Sequence, residues 1–64
     1  MSELVEKMIA YRAKHNITQK ELAKRCRVSE VTIINAERGK SLTKLTKGKI
    51  ELVINKESEE DDIY

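Results

Sequence analysis

An all-α fold is predicted for this 64-residue chain by three observations. Proline is absent and glycine occurs twice, so little interrupts a helix. Apolar residues recur at three- and four-residue intervals. Three times a hydroxyl residue, Thr18, Ser29 or Thr43, stands just ahead of such a run, where its oxygen can accept from the free N–H groups of a first helical turn.

Helix 1 is expected over about residues 3–15. Leu4, Val5, Met8, Ile9 and Ala13 are taken as its apolar face, Ser2 as its N-cap, and Glu3 and Glu6 lie where the helix dipole favours acids. Asn16 suits a left-handed stop, and His15 beside it reads as surface decoration. In "ITQKEL", Thr18 and Glu21 have the spacing of a capping box, and Ile17 and Leu22 that of a hydrophobic staple. Helix 2 therefore runs from Gln19 to about Cys26. Past Arg27, Ser29 caps helix 3 and Val28 can staple onto Ile33; Gly39, free to turn left-handed, ends that helix at Arg38.

The stretch "SLTKLTKGKIELVINK" admits two readings. Thr43 can cap a helix with Ile50, Val53 and Ile54 on one face, although Gly48 costs roughly 1 kcal/mol relative to alanine. "KIELVI" taken alone also fits a strand, but the Lys and Leu of "TKLTKGK" favour the helix. Four helices, five at most, thus make one small domain over residues 1–56. Residues 57–64 form an acidic tail expected to be frayed or disordered.

Charge is divided along the chain in the same way. The net charge is +2, but residues 1–56 hold all 13 Lys and Arg against 6 acids, giving +7, and residues 57–64 hold 5 acids and no base, giving −5. A basic body suits a polyanionic partner. Aromatic content of 3 % excludes the stacking platforms of single-strand binders. With one cysteine and one histidine, neither an intrachain disulfide nor a usual zinc site can form, and no metal or cofactor is expected. Cys26 falls on the inward face of helix 2 and reads as a small core residue. No paired carboxylates, nucleophile–base set or glycine-rich phosphate loop points to an enzyme. No apolar run approaches a membrane span, and a soluble, cytoplasmic protein is expected.

Two short helices joined by a tight turn make a helix-turn-helix unit. Residues 18–40, "TQKELAKRCRVSEVTIINAERGK", resemble that unit of the Cro/C1-type phage repressors, the xenobiotic-response-element type of bacterial regulators. The matching positions are Gln19, "ELA" at Glu21, Leu22 and Ala23, "VS" at Val28 and Ser29, Ile33, and "ERGK" from Glu37 to Lys40. With helices 1 and 4 the resemblance covers about residues 3–55. It implies a small helix-turn-helix DNA-binding domain, the motif itself at 18–39. The implied function is a phage or bacterial transcriptional regulator that binds an inverted-repeat operator as a homodimer, helix 3 lying in the major groove of double-stranded DNA.

The resemblance also assigns residues. Arg12 and Glu37 would form a structural ion pair. Gln19 and Lys40, with Arg38 near them, would grip phosphates; the plainer reading leaves Arg38 and Lys40 as solvated surface. Base reading would fall to Glu30, Val31, Ile34 and Asn35. Asn35 can bond adenine, Val31 and Ile34 can pack on thymine methyls, and Glu30 can accept from cytosine N4. Each apolar residue has a rival role: Val31 could turn inward against helix 2, and Ile34 could meet a protein. Glu30 could simply stabilise the first turn of helix 3.

Three departures from the family pattern stand out. Arg27 occupies a turn position where glycine is common, Ala36 replaces a larger apolar residue, and no fifth helix follows. Thin packing or dependence on a dimer is implied, with Leu52, Val53 and Ile54 as candidate dimer residues unless they close the core. The alternative function is a protein-interaction module, antirepressor- or antitoxin-like, whose Val31 and Ile34 face meets a regulatory protein partner.

Overall fold

A computed structural model describes residues 3–63, with side chains as far as Lys56. The elements are α1 (Glu3–His15), α2 (Gln19–Cys26), α3 (Glu30–Glu37) and α4 (Lys44–Ile63), with no strand among the described residues. The expected N-cap Ser2 lies outside them.

The first three helices stop in the same manner. After α1, Asn16 takes φ 53° and the Ile17 N–H reaches the Arg12 carbonyl at 3.1 Å. After α2, Arg27 takes φ 60° and the Val28 N–H reaches the Ala23 carbonyl at 3.0 Å. After α3, Gly39 takes φ 81° and the Lys40 N–H reaches the Asn35 carbonyl at 3.1 Å. Each is a Schellman closure, one left-handed residue letting the chain satisfy carbonyls that a helix end would leave bare. Arg38 is the cap of α3 rather than its last turn, one residue from the sequence-based boundary.

The starts are equally local. Thr18 accepts from the Glu21 N–H at 3.1 Å, Ser29 from the Thr32 N–H at 3.2 Å and Thr43 from the Thr46 N–H at 3.2 Å. The Glu21 carboxylate lies 4.0 Å from Arg25 Nε, one turn on.

One core joins the four helices. Met8 and Tyr11 come from α1, Leu22, Ala23 and Cys26 from α2, Ile33 and Ala36 from α3, and Ile50 and Ile54 from α4. Ile17 and Val28, the two staple residues, pack against it together with Leu4, Leu42 and Val53. Ala36 is buried, its small side chain fitting beside the facing helices.

Two expectations change. The face of α1 is rotated: Val5, Met8 and Tyr11 are buried, whereas Ile9 and Ala13 are exposed. Tyr11 can take that place because its ring is apolar while its hydroxyl accepts from Arg25 Nη1 at 3.0 Å. His15 is not surface decoration, since its ring is half-buried with its centroid 4.4 Å from that of Tyr11. Residues 44–63 form one helix, so of the two readings of "KIELVI" the favoured helix stands. Nothing between Lys49 and Ile63 breaks a helix, and Glu and Lys are good helix formers. The side chains of 57–63, and Tyr64 altogether, lie outside the described residues.

Arg27 is the costly position in this scheme. An L-residue in the left-handed region gives up about 1–2 kcal/mol, which glycine avoids at the expense of a looser unfolded chain. Arg27→Gly is therefore expected to raise the unfolding free energy by about 0.5–1 kcal/mol in urea titrations. An unchanged or lower midpoint would mean that the arginine side chain offsets its own backbone strain.

Candidate DNA interface

The unit that could present α3 to DNA is held by one carboxylate. Arg12 of α1 donates from Nε and Nη2 to the two oxygens of Glu37 on α3, both at 2.7 Å, a bidentate fork. Gln19, the first residue of α2, adds a bond from Nε2 to Glu37 Oε1 at 3.2 Å. Glu37 is only 8 % exposed and Arg12 25 %, so little water competes for the fork. Hydrogen bonding to Glu37 raises the pKa of the Arg12 guanidinium above its usual value; burial opposes this in part. The three helices of the reading unit thus converge on one anion.

The expected ion pair is in place, and Gln19 belongs to it. One of its amide N–H groups is committed to Glu37, and a primary amide carries a second. No sequence pattern linked Gln19 to Glu37, because 18 residues separate them and only the crossing of α2 with α3 brings them together.

The short α3 sorts its side chains by angle. Ile33 and Ala36 enter the core. On the opposite side Val31 is 63 % exposed, and Ile34 and Asn35 are half-buried. Arg38, just past the helix, is exposed. Val31 therefore does not turn inward against α2. Glu30 is exposed in the first turn, at the positive end of the helix dipole. The structure thus brings Val31, Ile34, Asn35 and Arg38 to one surface and sets Glu30 at its edge.

Lys40 is exposed and borders a shallow groove of about 480 Å³ that Lys7 and Lys47 share with Glu3 and Glu51. Lys7 is already paired with Glu3 at 3.0 Å. The groove is near electrical balance, so Lys40 counts as a single cation beside the end of α3.

Cys26 is buried, and desolvation pushes its thiol pKa upward. Among the described residues no group of His, Cys, Asp and Glu could hold a metal ion, and no helix is long and apolar enough to cross a membrane.

Two outcomes test this geometry. Arg12→Ala strands Glu37 and is expected to lower the unfolding free energy by about 2–4 kcal/mol, somewhat less than a fully buried pair would lose. A loss below about 0.5 kcal/mol that vanishes in salt would reduce the fork to a surface contact. Cys26 should resist thiol reagents in the native protein and react at once in denaturant. Stability should also fall as pH rises through the ordinary thiol range, because the unfolded thiol ionises first. Rapid native labelling would contradict the burial.

A helix-turn-helix family model matches residues 8–60, most of the chain, taking in α2 and α3 whole and the greater part of α1 and α4. No curated protein and no solved structure is significantly similar to it. The match supports the Cro/C1-type assignment, and with it a DNA-binding transcriptional regulator in general terms. The chain belongs to the helix-turn-helix family.

Proposed function

We propose that the protein is a Cro-like repressor of phage or bacterial type that acts in the cytoplasm as a homodimer. Two copies of α3 enter successive major grooves of an inverted-repeat operator, about 34 Å apart. The observation that carries this reading is the division of α3: Ile33 and Ala36 are given to the core, while Val31, Ile34, Asn35 and Arg38 share the outer surface.

The chemistry of that surface suits a site containing A·T pairs. Asn35 bonds the N6 and N7 edge of adenine, and Val31 and Ile34 lie against thymine methyls. Glu30, at the edge, accepts from cytosine N4 or stays in the first turn as a dipole partner. Arg38, Lys40 and the remaining donor of Gln19 set the register on phosphates and carry no base information. Control of transcription is by occupying the operator or by contacting polymerase.

A second reading is supported by the 63 % exposure of Val31 next to Ile34. The same face would dock on a regulatory protein, as an antirepressor or antitoxin does. Charge separates the two readings, since phosphate binding weakens steeply with salt and an apolar contact does not.

Selection of duplexes from a random pool, with affinities followed across salt, tests the proposal. A palindrome should be enriched. Asn35→Ala should cost about 1–3 kcal/mol per half-site and relax one base position, and Lys40→Ala should weaken all sequences alike and reduce the salt slope by about 1 per half-site. Weak binding without enrichment would favour the protein-docking reading.

A further inference from the structure

We infer that the outer face of α4 is a docking site for an acidic amphipathic helix of a different protein. The inference goes beyond the reading of α3 above and does not depend on what α3 binds.

The face is a stripe of two chemistries. Leu45, Lys49, Leu52 and Lys56 follow one another at steps of four, three and four residues, so they line up along one side of the helix over about 16 Å. All four are exposed, and Leu45 at 71 % and Leu52 at 73 % are the most exposed of the large apolar side chains on the described surface. Ile50 and Ile54, on the opposite side, enter the core. The candidate dimer residues are thereby divided: Ile54 is buried, Val53 packs on the core, and Leu52 alone remains outside. Beside the stripe an open groove of about 830 Å³ is lined by Gly48, Glu51, Leu52, Asn55 and Lys56. A Cβ built on Gly48 meets nothing within 4 Å, so a neighbouring backbone can come close there.

Charge selects the occupant. Residues 44–56 carry Lys44, Lys47, Lys49 and Lys56 against one acid, Glu51. Among the described residues Lys44, Lys49 and Lys56 enter no ion pair, so the cations of the stripe are not answered there. Two apolar anchors seven residues apart, each with a lysine one turn on, fit a helix that sets apolar side chains against Leu45 and Leu52 and carboxylates against Lys49 and Lys56. A second copy does not meet that need. Laid antiparallel with Leu45 against the other Leu52, it places the two Lys49 side chains opposite each other; shifted to separate the lysines, it places each leucine against a lysine. A parallel pair sets every lysine against its own image. Duplex DNA would answer the lysines but leave both leucines against water or phosphate.

Selection of binders to the full chain from a random pool of peptides about 20 residues long tests this, with affinities read from the anisotropy of labelled winners. Winners should be acidic, with apolar residues at seven-residue spacing. Leu45→Ser with Leu52→Ser should weaken their binding about tenfold or more without lowering the thermal midpoint of the protein, since both side chains are already in water. Lys49→Glu with Lys56→Glu should weaken it to a similar extent, and a winner whose acids are replaced by lysine should prefer that variant to the wild type. Neutral or basic winners, no winner that binds more tightly than about 1 mM, or binding indifferent to either pair of substitutions would each overturn the inference. So would self-association of the wild type, followed by sedimentation, that the serine pair abolishes, since a second copy would then be the occupant. Duplex affinity is a separate readout. The serine pair should leave it unchanged; a loss in the Lys49 and Lys56 variant while the peptides still bind would give the stripe to phosphates and overturn the inference as well.

Discussion

The fork between Arg12 and Glu37 is the constraint on which the arrangement of the reading unit depends. A helix of eight residues such as α3 is far too short to be stable alone, so its direction must be imposed from outside. Ile33 and Ala36 fix which side faces inward, but apolar packing is non-directional and tolerates rotation. The fork does not: two bonds of 2.7 Å from a planar guanidinium hold the end of α3 to α1, and Gln19 adds α2 to the same carboxylate. The relative angle of the three helices follows from that anion.

Burial gives the fork its force. Because Glu37 is almost wholly enclosed, its charge is tolerated only while Arg12 answers it, and separating the helices would expose both partners at once. Chain ends reinforce the effect locally. Asn16, Arg27 and Gly39 close α1, α2 and α3 within a single residue each, so the connections carry little slack. Asn and Gly adopt the left-handed region readily, but Arg27 does not, and its strain is the local cost of keeping α2 and α3 close.

Much of this was legible in the sequence because the devices are short-range. Thr18, Ser29 and Thr43 announce helix starts within three residues, and Asn16 and Gly39 announce ends, so the caps and the helix-turn-helix register follow from neighbours alone. The face of α1 did not. Ile9 is more apolar than Tyr11, yet Tyr11 is buried, because Arg25 of α2 is there to serve its hydroxyl, a partner 14 residues away. The link from Gln19 to Glu37 was hidden for the same reason. The exposed stripe of α4 escaped as well: Leu52, Val53 and Ile54 are adjacent in sequence, and only their angles on a formed helix separate the core residue from the outward one. Base-reading roles for Glu30, Val31, Ile34 and Asn35 come from resemblance, and the structure adds to them only which side chains reach water.

The measurement that tests the central claim most directly is the movement of backbone amide resonances as the labelled protein is titrated with duplex DNA. If the carboxylate-locked unit presents α3, perturbations should cluster at Gln19 and over residues 30–40, with the amides of α4 around Leu52 little affected. Perturbations confined to α4 with α3 silent, or none at low salt where every lysine is available, would contradict the account.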